Sequence, residues 1–255
     1  MPQLKRIKRI YRFSRLYLHY FKISLHNLLF AEKKPDYKKI PIIINNFNRL
    51  TFLKDLLAEL EKRGYTNIYI IDNHSTYPPL LEYYKSCPFT IFRLKENLGF
   101  QALDKSGLSK LFQNQYFVYT DSDITFLPEC PDDILEHFFH ILEKTPPFVA
   151  KVGCALKIDD LPDHYKHKQE VIDWETQFWK KPIGKDVYNA LIDTTFALYK
   201  PNMPVGYFDD LIEGRRIAGK YIGIHQPWYL DSCNLYEEEL YYIQNSSQAT
   251  SWTSK

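Results

Sequence analysis

In YFVYTDSDITF, residues 116–126, two carboxylates stand one residue apart, Asp121 and Asp123, directly after the strand-forming run Tyr116, Phe117, Val118 and Tyr119. Residues i and i+2 of a strand point to one face. Where a buried strand runs out into a loop, such a pair can converge on one hard cation, Mn2+ or Mg2+, and leave coordination positions open for substrate oxygens. Two ionised carboxylates this close repel unless a cation or a shared proton compensates. The same residues also suit an acidic turn that merely closes a strand, and D-x-D alone does not separate the two readings.

The elements that would position this pair can be read upstream. Ile40 to Ile44 is a short apolar run expected to form a first central strand, opening into the polar loop Asn45-Asn46-Phe47-Asn48-Arg49. Leu50, Leu53, Leu56, Leu57 and Leu60 recur at helical spacing, with Gly64 as a stop signal. A second strand over Asn67 to Asp72 ends in a carboxylate and the loop Asn73-His74-Ser75-Thr76, and Pro78-Pro79 start a short helix. Phe89 to Leu94 predicts a third strand, followed by the turn Glu96 to Phe100, and residues 116–120 a fourth. Strands alternating with helices predict an α/β fold with a mostly parallel sheet and right-handed crossovers. Ligands of such sheets bind at the carboxyl ends of the strands, and three of those ends here read Asn45-Asn46, Asp72-Asn73 and Asp121-Ser122-Asp123.

IPIIINNFNRLTFLKDLLAEL, IYIIDNHST, ENLGF and YFVYTDSD, in this order, resemble the nucleotide-binding half of a GT-A glycosyltransferase of the family 2 type, over roughly residues 40–125. The resemblance implies a Rossmann-like GT-A sheet flanked by helices and a nucleotide-sugar donor, with a UDP-sugar favoured. It implies that Asn46, Asn48, Arg49 and Asp72 hold the nucleoside, that the turn Asn97 to Gly99 lies near the nucleotide, and that Asp121 and Asp123 bind a divalent metal on the donor diphosphate. A preorganised cation would stabilise the charge that a diphosphate leaving group develops. By the same resemblance a His after a late strand completes the metal shell, and His225 stands at a matching place; alone, a His ending an apolar stretch is as well explained as structural.

An inverting transferase needs a base for the acceptor hydroxyl. Asp193 lies in VYNALIDTTFALY among residues expected to be buried, which would raise its pKa and suit it to that task; it equally suits a turn cap. Asp209, Asp210 and Glu213 are rivals, because the family carries an acidic pair in this region, though the usual Glu-Asp dipeptide is missing. Glu175, beside Trp174 and Phe178, belongs to a stretch that suits either an acceptor pocket or a half-buried helix face. Asp132 to Leu142 is expected to be helical and Phe148 to Ile158 a strand. The H-x-x-H pairs His137/His140 and His164/His167 are weak metal signals that ordinary hydrogen-bonded histidines explain.

Composition bounds these readings. With 255 residues, 45% hydrophobic and 25% charged, the chain suits one globular α/β domain, or a domain with an appendage. Cys87, Cys130, Cys154 and Cys233 contain no C-x-x-C, which predicts neither a zinc ribbon nor a disulfide framework and points to a reducing compartment. Residues 1–40 hold eleven Lys and Arg against Glu32 and Asp36, a net +9 which, with +2 for the whole chain, leaves the remaining 215 residues at −7. An acidic body argues against nucleic acid as the main ligand. The basic leader carries no apolar run of the roughly 20 residues a spanning helix needs. It is expected either to lie on an anionic membrane surface through residues 1–30 or to pack on the body. The expected divisions are the leader at 1–38, a catalytic domain at 39–244 (nucleotide half 39–125, acceptor half 126–244) and a polar tail or lid at 245–255.

These features predict a glycosyltransferase that acts on a glycan or lipid-linked acceptor in surface polysaccharide synthesis, cytoplasmic and on the inner face of the cell membrane. Two alternatives compete. DSDIT also fits the D-x-D-x-T motif of haloacid dehalogenase-type Mg-dependent phosphatases, with Asp121 as nucleophile, although that motif normally begins its domain. The other is a non-catalytic scaffold that binds a nucleotide-sugar.

Overall fold

The computed structural model describes residues 2–30, 34–205 and 213–246. The chain opens with helix α1 (Pro2–Phe30) and continues through β1 (Ile42–Asn46), α2 (Thr51–Lys62), β2 (Ile68–Asp72), α3 (Pro78–Tyr84), β3 (Thr90–Arg93), two short helices α4 (Ala102–Lys105) and α5 (Ser109–Phe112), and β4 (Phe117–Asp121). After it come β5 (Ile124–Phe126), α6 (Ile134–Leu142), β6 (Val149–Cys154), α7 (Lys168–Glu175), β7 (Pro182–Gly184), β8 (Val187–Asn189), β9 (Ala197–Tyr199), β10 (Glu213–Ile217), β11 (Gly223–His225) and α8 (Glu237–Asn245).

Nine strands form one sheet in the order β3-β2-β1-β4-β9-β6-β10-β8-β7, and β5 pairs with β11 in a small second sheet. The β3-β2-β1-β4 block is parallel throughout, as is the β6/β10 pair. The expected α/β architecture is therefore present, with antiparallel β9 wedged between β4 and β6. The expected strand at 148–158 is confined to β6, and Val187 to Tyr199 is two strands separated by a loop rather than one apolar unit.

The unbroken Ile42-Ile43-Ile44 run follows from burial on both faces of the parallel block. Ile42 and Ile44 pack with Ile68, Ile70, Val118 and the α2 leucines in one core layer. Ile43 packs with Ile71, Phe117 and Tyr119 in the other. On α2, Leu53, Leu56, Leu57 and Leu60 are buried, and the helix stops where Gly64 takes φ +78°, a left-handed conformation that glycine adopts without a Cβ clash.

Chain order turns back between β1 and β4: β2 and β3 build outward on one side and β4 on the other. That is a topological switch point, where open α/β sheets leave a crevice beyond their strand ends. Register sets the strand-end residues side by side there, with Asn45 opposite Asp121 and Asn46 opposite Asp72.

Close packing of β6 on β9 holds the far wall. A Cβ built on Gly153 would lie 2.6 Å from the Ala197 Cβ and 2.7 Å from the Phe196 carbonyl. Gly153→Val is expected to lower unfolding free energy by about 1–3 kcal/mol through overpacking. Equilibrium denaturant unfolding checks this, and a variant as stable as the parent would contradict the packing described.

Candidate active site

At the end of β4 both oxygens of Asp121 are taken. Asn45 Nδ2 donates to Oδ1 at 3.0 Å and the Thr194 hydroxyl donates to Oδ2. The Asp121 amide donates to the Thr194 carbonyl at 2.7 Å, tying the loop before β9 to the strand end. Burial and the neighbouring charge of Asp123 push the Asp121 carboxyl well above the usual carboxylate range, against the two hydrogen bonds that favour its ionised form.

Asp123 lies in the turn between β4 and β5. Pairing of β5 with β11 sets His225 opposite Ile124 and brings its Nε2 within 3.5 Å of Asp123 Oδ2. Burial lowers the His225 pKa despite the nearby Asp123, so the neutral imidazole is favoured. Among the described residues, Asp123 Oδ1 and His225 Nδ1 are buried without a hydrogen-bond partner. A carboxylate oxygen left in this way fits a hard cation such as Mn2+ or Mg2+, for which an imidazole nitrogen is the less suited ligand. No group of three or more His, Cys, Asp or Glu converges among the described residues, so the chain itself offers a cation only a partial shell.

Arg49, at the mouth of α2, supplies the charge that the carboxylates lack. Its guanidinium pairs with Asp123 Oδ2 through NH1 and with both oxygens of Glu239 at 2.9 Å through Nε and NH2. It lies 3.7 Å from the Tyr242 ring centroid. Glu238, one residue earlier on α8, accepts from the amides of Leu50 and Thr51 at 2.9 and 3.0 Å. It thereby caps α2, whose own N-cap residue Leu50 makes no side-chain cap.

These residues border a cleft of about 560 Å³, which Asn45, Arg49, Asn97, Gly99, Asp121, Asp123, Asp193 and His225 all help to line. Of the expected nucleoside residues, Asn46, Asn48 and Asp72 do not line it. Asn46 donates to the Tyr84 hydroxyl, and Asn48 Oδ1 accepts the Thr76 and Tyr77 amides at 2.7 and 3.0 Å. Asp72 is fully buried, accepting from the Ser75 amide and from Arg93 Nε. They shape the loops behind the cleft instead. The Asn97 to Gly99 turn is held by Asn73, which accepts the Leu98 amide and donates to the Gly99 carbonyl.

A family model described as glycosyl transferase family 2 matches residues 42–199, more than half of the chain. The chain belongs to glycosyl transferase family 2. No curated protein sequence matches it. Among solved structures, this family 2 chain is similar to the mannosyltransferase PcManGT from Pyrobaculum calidifontis in complex with GDP-Man and Mn2+, at 19% identity and TM-score 0.40. That match covers 74% of this chain and 52% of the other, so the family 2 chain spans about half the length of that protein. S. aureus TarS is 18% identical at TM-score 0.35, covering 50% of this chain and 24% of that one. GalNAc-T7 with UDP, GalNAc and Mn2+ is 14% identical at TM-score 0.34, covering 79% and 38%.

The second half of the family 2 chain forms the opposite wall. Asp193 reaches the cleft from the loop between β8 and β9, and its side chain is exposed while Ile192 and Thr194 are buried. The burial expected for Asp193 therefore does not occur, because the chain is irregular here and turns this side chain outward. Arg216 holds the loop from behind: its Nε donates to the Leu191 carbonyl at 2.7 Å and its NH1 to Glu175 at 2.5 Å, over the Phe178 ring. Glu175, the carboxylate of the expected acceptor stretch, is thus spent on a buried ion pair, and Glu213, a rival base, pairs with Arg215. Asp209 and Asp210 lie outside the described residues. Trp174 edges the cleft with Tyr165 and Trp228. The H-x-x-H histidines make other contacts: His137 stacks on Tyr221, His140 lies beside Glu136, His164 meets the Tyr229 carbonyl and His167 meets Glu170.

Sequence reading missed Thr194, Glu239 and Tyr242. Thr194 stood beside a suspected base and had a polar side chain to account for; the acidic run Glu237 to Glu239 carried no local sign that it reaches Arg49.

Two measurements test this electrostatic arrangement. A carboxyl whose pKa is raised in the folded state contributes stability that is present below its ordinary pKa and lost as pH rises toward its folded value, here about 8. In chelator, stability relative to Asp121→Asn is expected to fall from pH 4 toward pH 8 (the range between those two values); a flat or rising difference would refute the shift. Arg216→Ala strands Glu175 and is expected to cost about 3–5 kcal/mol in denaturant unfolding, against little change for an exposed control such as Lys144→Ala.

Proposed function

We propose that this family 2 chain is a metal-dependent, inverting glycosyltransferase. It moves a sugar from a nucleoside diphosphate donor, UDP-sugar favoured, to a hydroxyl of a glycan or lipid-linked acceptor in surface polysaccharide synthesis. It works on the cytoplasmic side, at the inner face of the cell membrane. The observation that carries this reading is the unpartnered Asp123 Oδ1 at the β1/β4 switch point, with the His225 ring 3.5 Å from the same carboxylate through Nε2, in a cleft that Asp193 also lines.

In this reading Asp121, Asp123 and His225 hold the cation, which when bound offsets the negative charge of the departing diphosphate. Asn45 and Thr194 orient Asp121, and Arg49 keeps the Asp123 charge balanced until donor enters. Asn97 and Gly99 border the nucleotide. Asn46, Asn48 and Asp72 act on the nucleoside through the loops they fix. Asp193, open to the cleft, accepts the proton of the acceptor hydroxyl as its oxygen attacks the anomeric carbon. The bond from that carbon to the phosphate oxygen breaks, and the nucleoside diphosphate leaves with the electron pair. Trp174, exposed at the cleft edge, offers a ring face for an acceptor sugar.

The phosphatase alternative has weaker support. The D-x-D-x-T motif normally begins its domain, whereas here three strands of the same sheet, β1, β2 and β3, precede it. A thermal-shift screen of nucleoside diphosphates and their sugars, with and without Mn2+, tests donor and metal together. One base is expected to raise the midpoint only with the cation, and Asp123→Ala to abolish that dependence. Asp193→Asn is expected to keep the shift and lose about 10²–10⁴-fold in turnover. Near-parental turnover would remove Asp193 as the base, and aryl phosphate hydrolysis without sugar transfer would favour the phosphatase.

A further inference from the structure

Helix α1 carries two opposed apolar faces. Leu16, Tyr20 and Ile23 pack against Phe148, Ala150 and Met203 of the body. Asn27 anchors the same face by donating to the Pro201 carbonyl at 2.7 Å and accepting from Asn202 at 3.0 Å. At 100° per residue the opposite face holds Tyr11, Leu18, Phe21, Leu25, Leu28 and Leu29, all exposed, with Leu28 at 66% and Leu29 at 64%. The stripe from Tyr11 to Leu29 runs about 27 Å. One packed face explains why the helix stays on the body; it leaves the second stripe without a partner among the described residues.

We propose that this outer stripe is a docking surface for an anionic lipid bilayer, with the helix lying in the plane of the interface. Charge decides the occupant. No acid occurs before Glu32, while Lys5, Arg6, Lys8, Arg9, Arg12, Arg15 and Lys22 all fall within the helix. Arg15 and Lys22 are exposed beside the stripe. A second copy of α1 laid along it would bring like charges together with no acid in either helix to pair them, whereas anionic headgroups neutralise them. Residues 31–255, at a net −5, would be repelled by the same bilayer, so the attraction is confined to helix α1. No helix among the described residues is long and apolar enough to cross a membrane, which leaves an in-plane pose. The proposal deepens the membrane location given above and rests on that reading only for the acceptor.

The test is co-sedimentation of the full chain with vesicles of phosphatidylcholine alone or mixed with phosphatidylglycerol. The chain is expected to pellet with the mixed vesicles and to release as salt rises. Leu18→Ser combined with Phe21→Ser and Leu25→Ser touches only the exposed face. It is expected to reduce partitioning at least about tenfold, as is Arg15→Gln with Lys22→Gln. Equal binding to neutral vesicles, binding unchanged in either variant, or no binding would overturn the proposal. So would a dimer in light scattering that the triple change dissociates. The nucleotide-induced thermal shift of the triple variant is expected to match the parent's, so that lost docking and lost donor binding are read separately.

Discussion

Two carboxylates at one strand end, Asp123 buried and Asp121 half-buried, are the constraint around which this protein is arranged. Unit charges about 4 Å apart interact by about 4 kcal/mol at an effective dielectric near 20. A fold that sets Asp123 one residue from Asp121 must supply compensation. It does so unequally. Asp121 receives two neutral donors, Asn45 and Thr194, and is driven toward its protonated form. Asp123 receives a cation, Arg49. One oxygen of Asp123 is left over, and that oxygen gives the cleft its chemical direction.

Arg49 in turn explains the C-terminal helix. A buried guanidinium bound only to Asp123 would leave donors unmet, and Glu239 meets them bidentately while Tyr242 covers its face. With Glu238 capping α2, the α8 helix clasps the start of the nucleotide half from the far end of the chain. A second buried pair, Arg216 with Glu175, plays the matching part behind the loop that carries Asp193. Both walls of the cleft are therefore fixed by arginines whose partners lie 41 or more residues away. Such pairs add little net stability over apolar packing but are costly to break, which suits a cleft that must keep its shape.

Much of this was open to a reading of the chain alone. Ile42 to Ile44, the α2 leucines and the run into Asp121 announce buried parallel strands and an amphipathic helix, because burial on two faces or one leaves a local period in the residues themselves. Asp121 and Asp123 were legible for the same reason: carboxylates directly after an apolar strand are conspicuous. Asn46, Asn48 and Asp72 were also conspicuous, yet each finds a hydrogen-bond partner behind the cleft: Asn46 donates to the Tyr84 hydroxyl, while Asn48 and Asp72 accept backbone amides. Asp193 was placed by its apolar neighbours, of which Ile192 and Phe196 are buried and Leu191 is exposed; the irregular backbone between β8 and β9 leaves the Asp193 side chain exposed as well.

The sequence by itself determined the alternation of strands and helices, the position of the paired aspartates and the basic character of the leader, all properties written in neighbouring residues. Only the tertiary structure decided what balances the aspartates, which acid faces the cleft and which face of α1 stays open. Those outcomes depend on contacts between residues as far apart as Arg49 and Glu239, separated by 190 positions. No local period or spacing encodes such a meeting, because it is fixed by how the sheet order folds the chain back on itself.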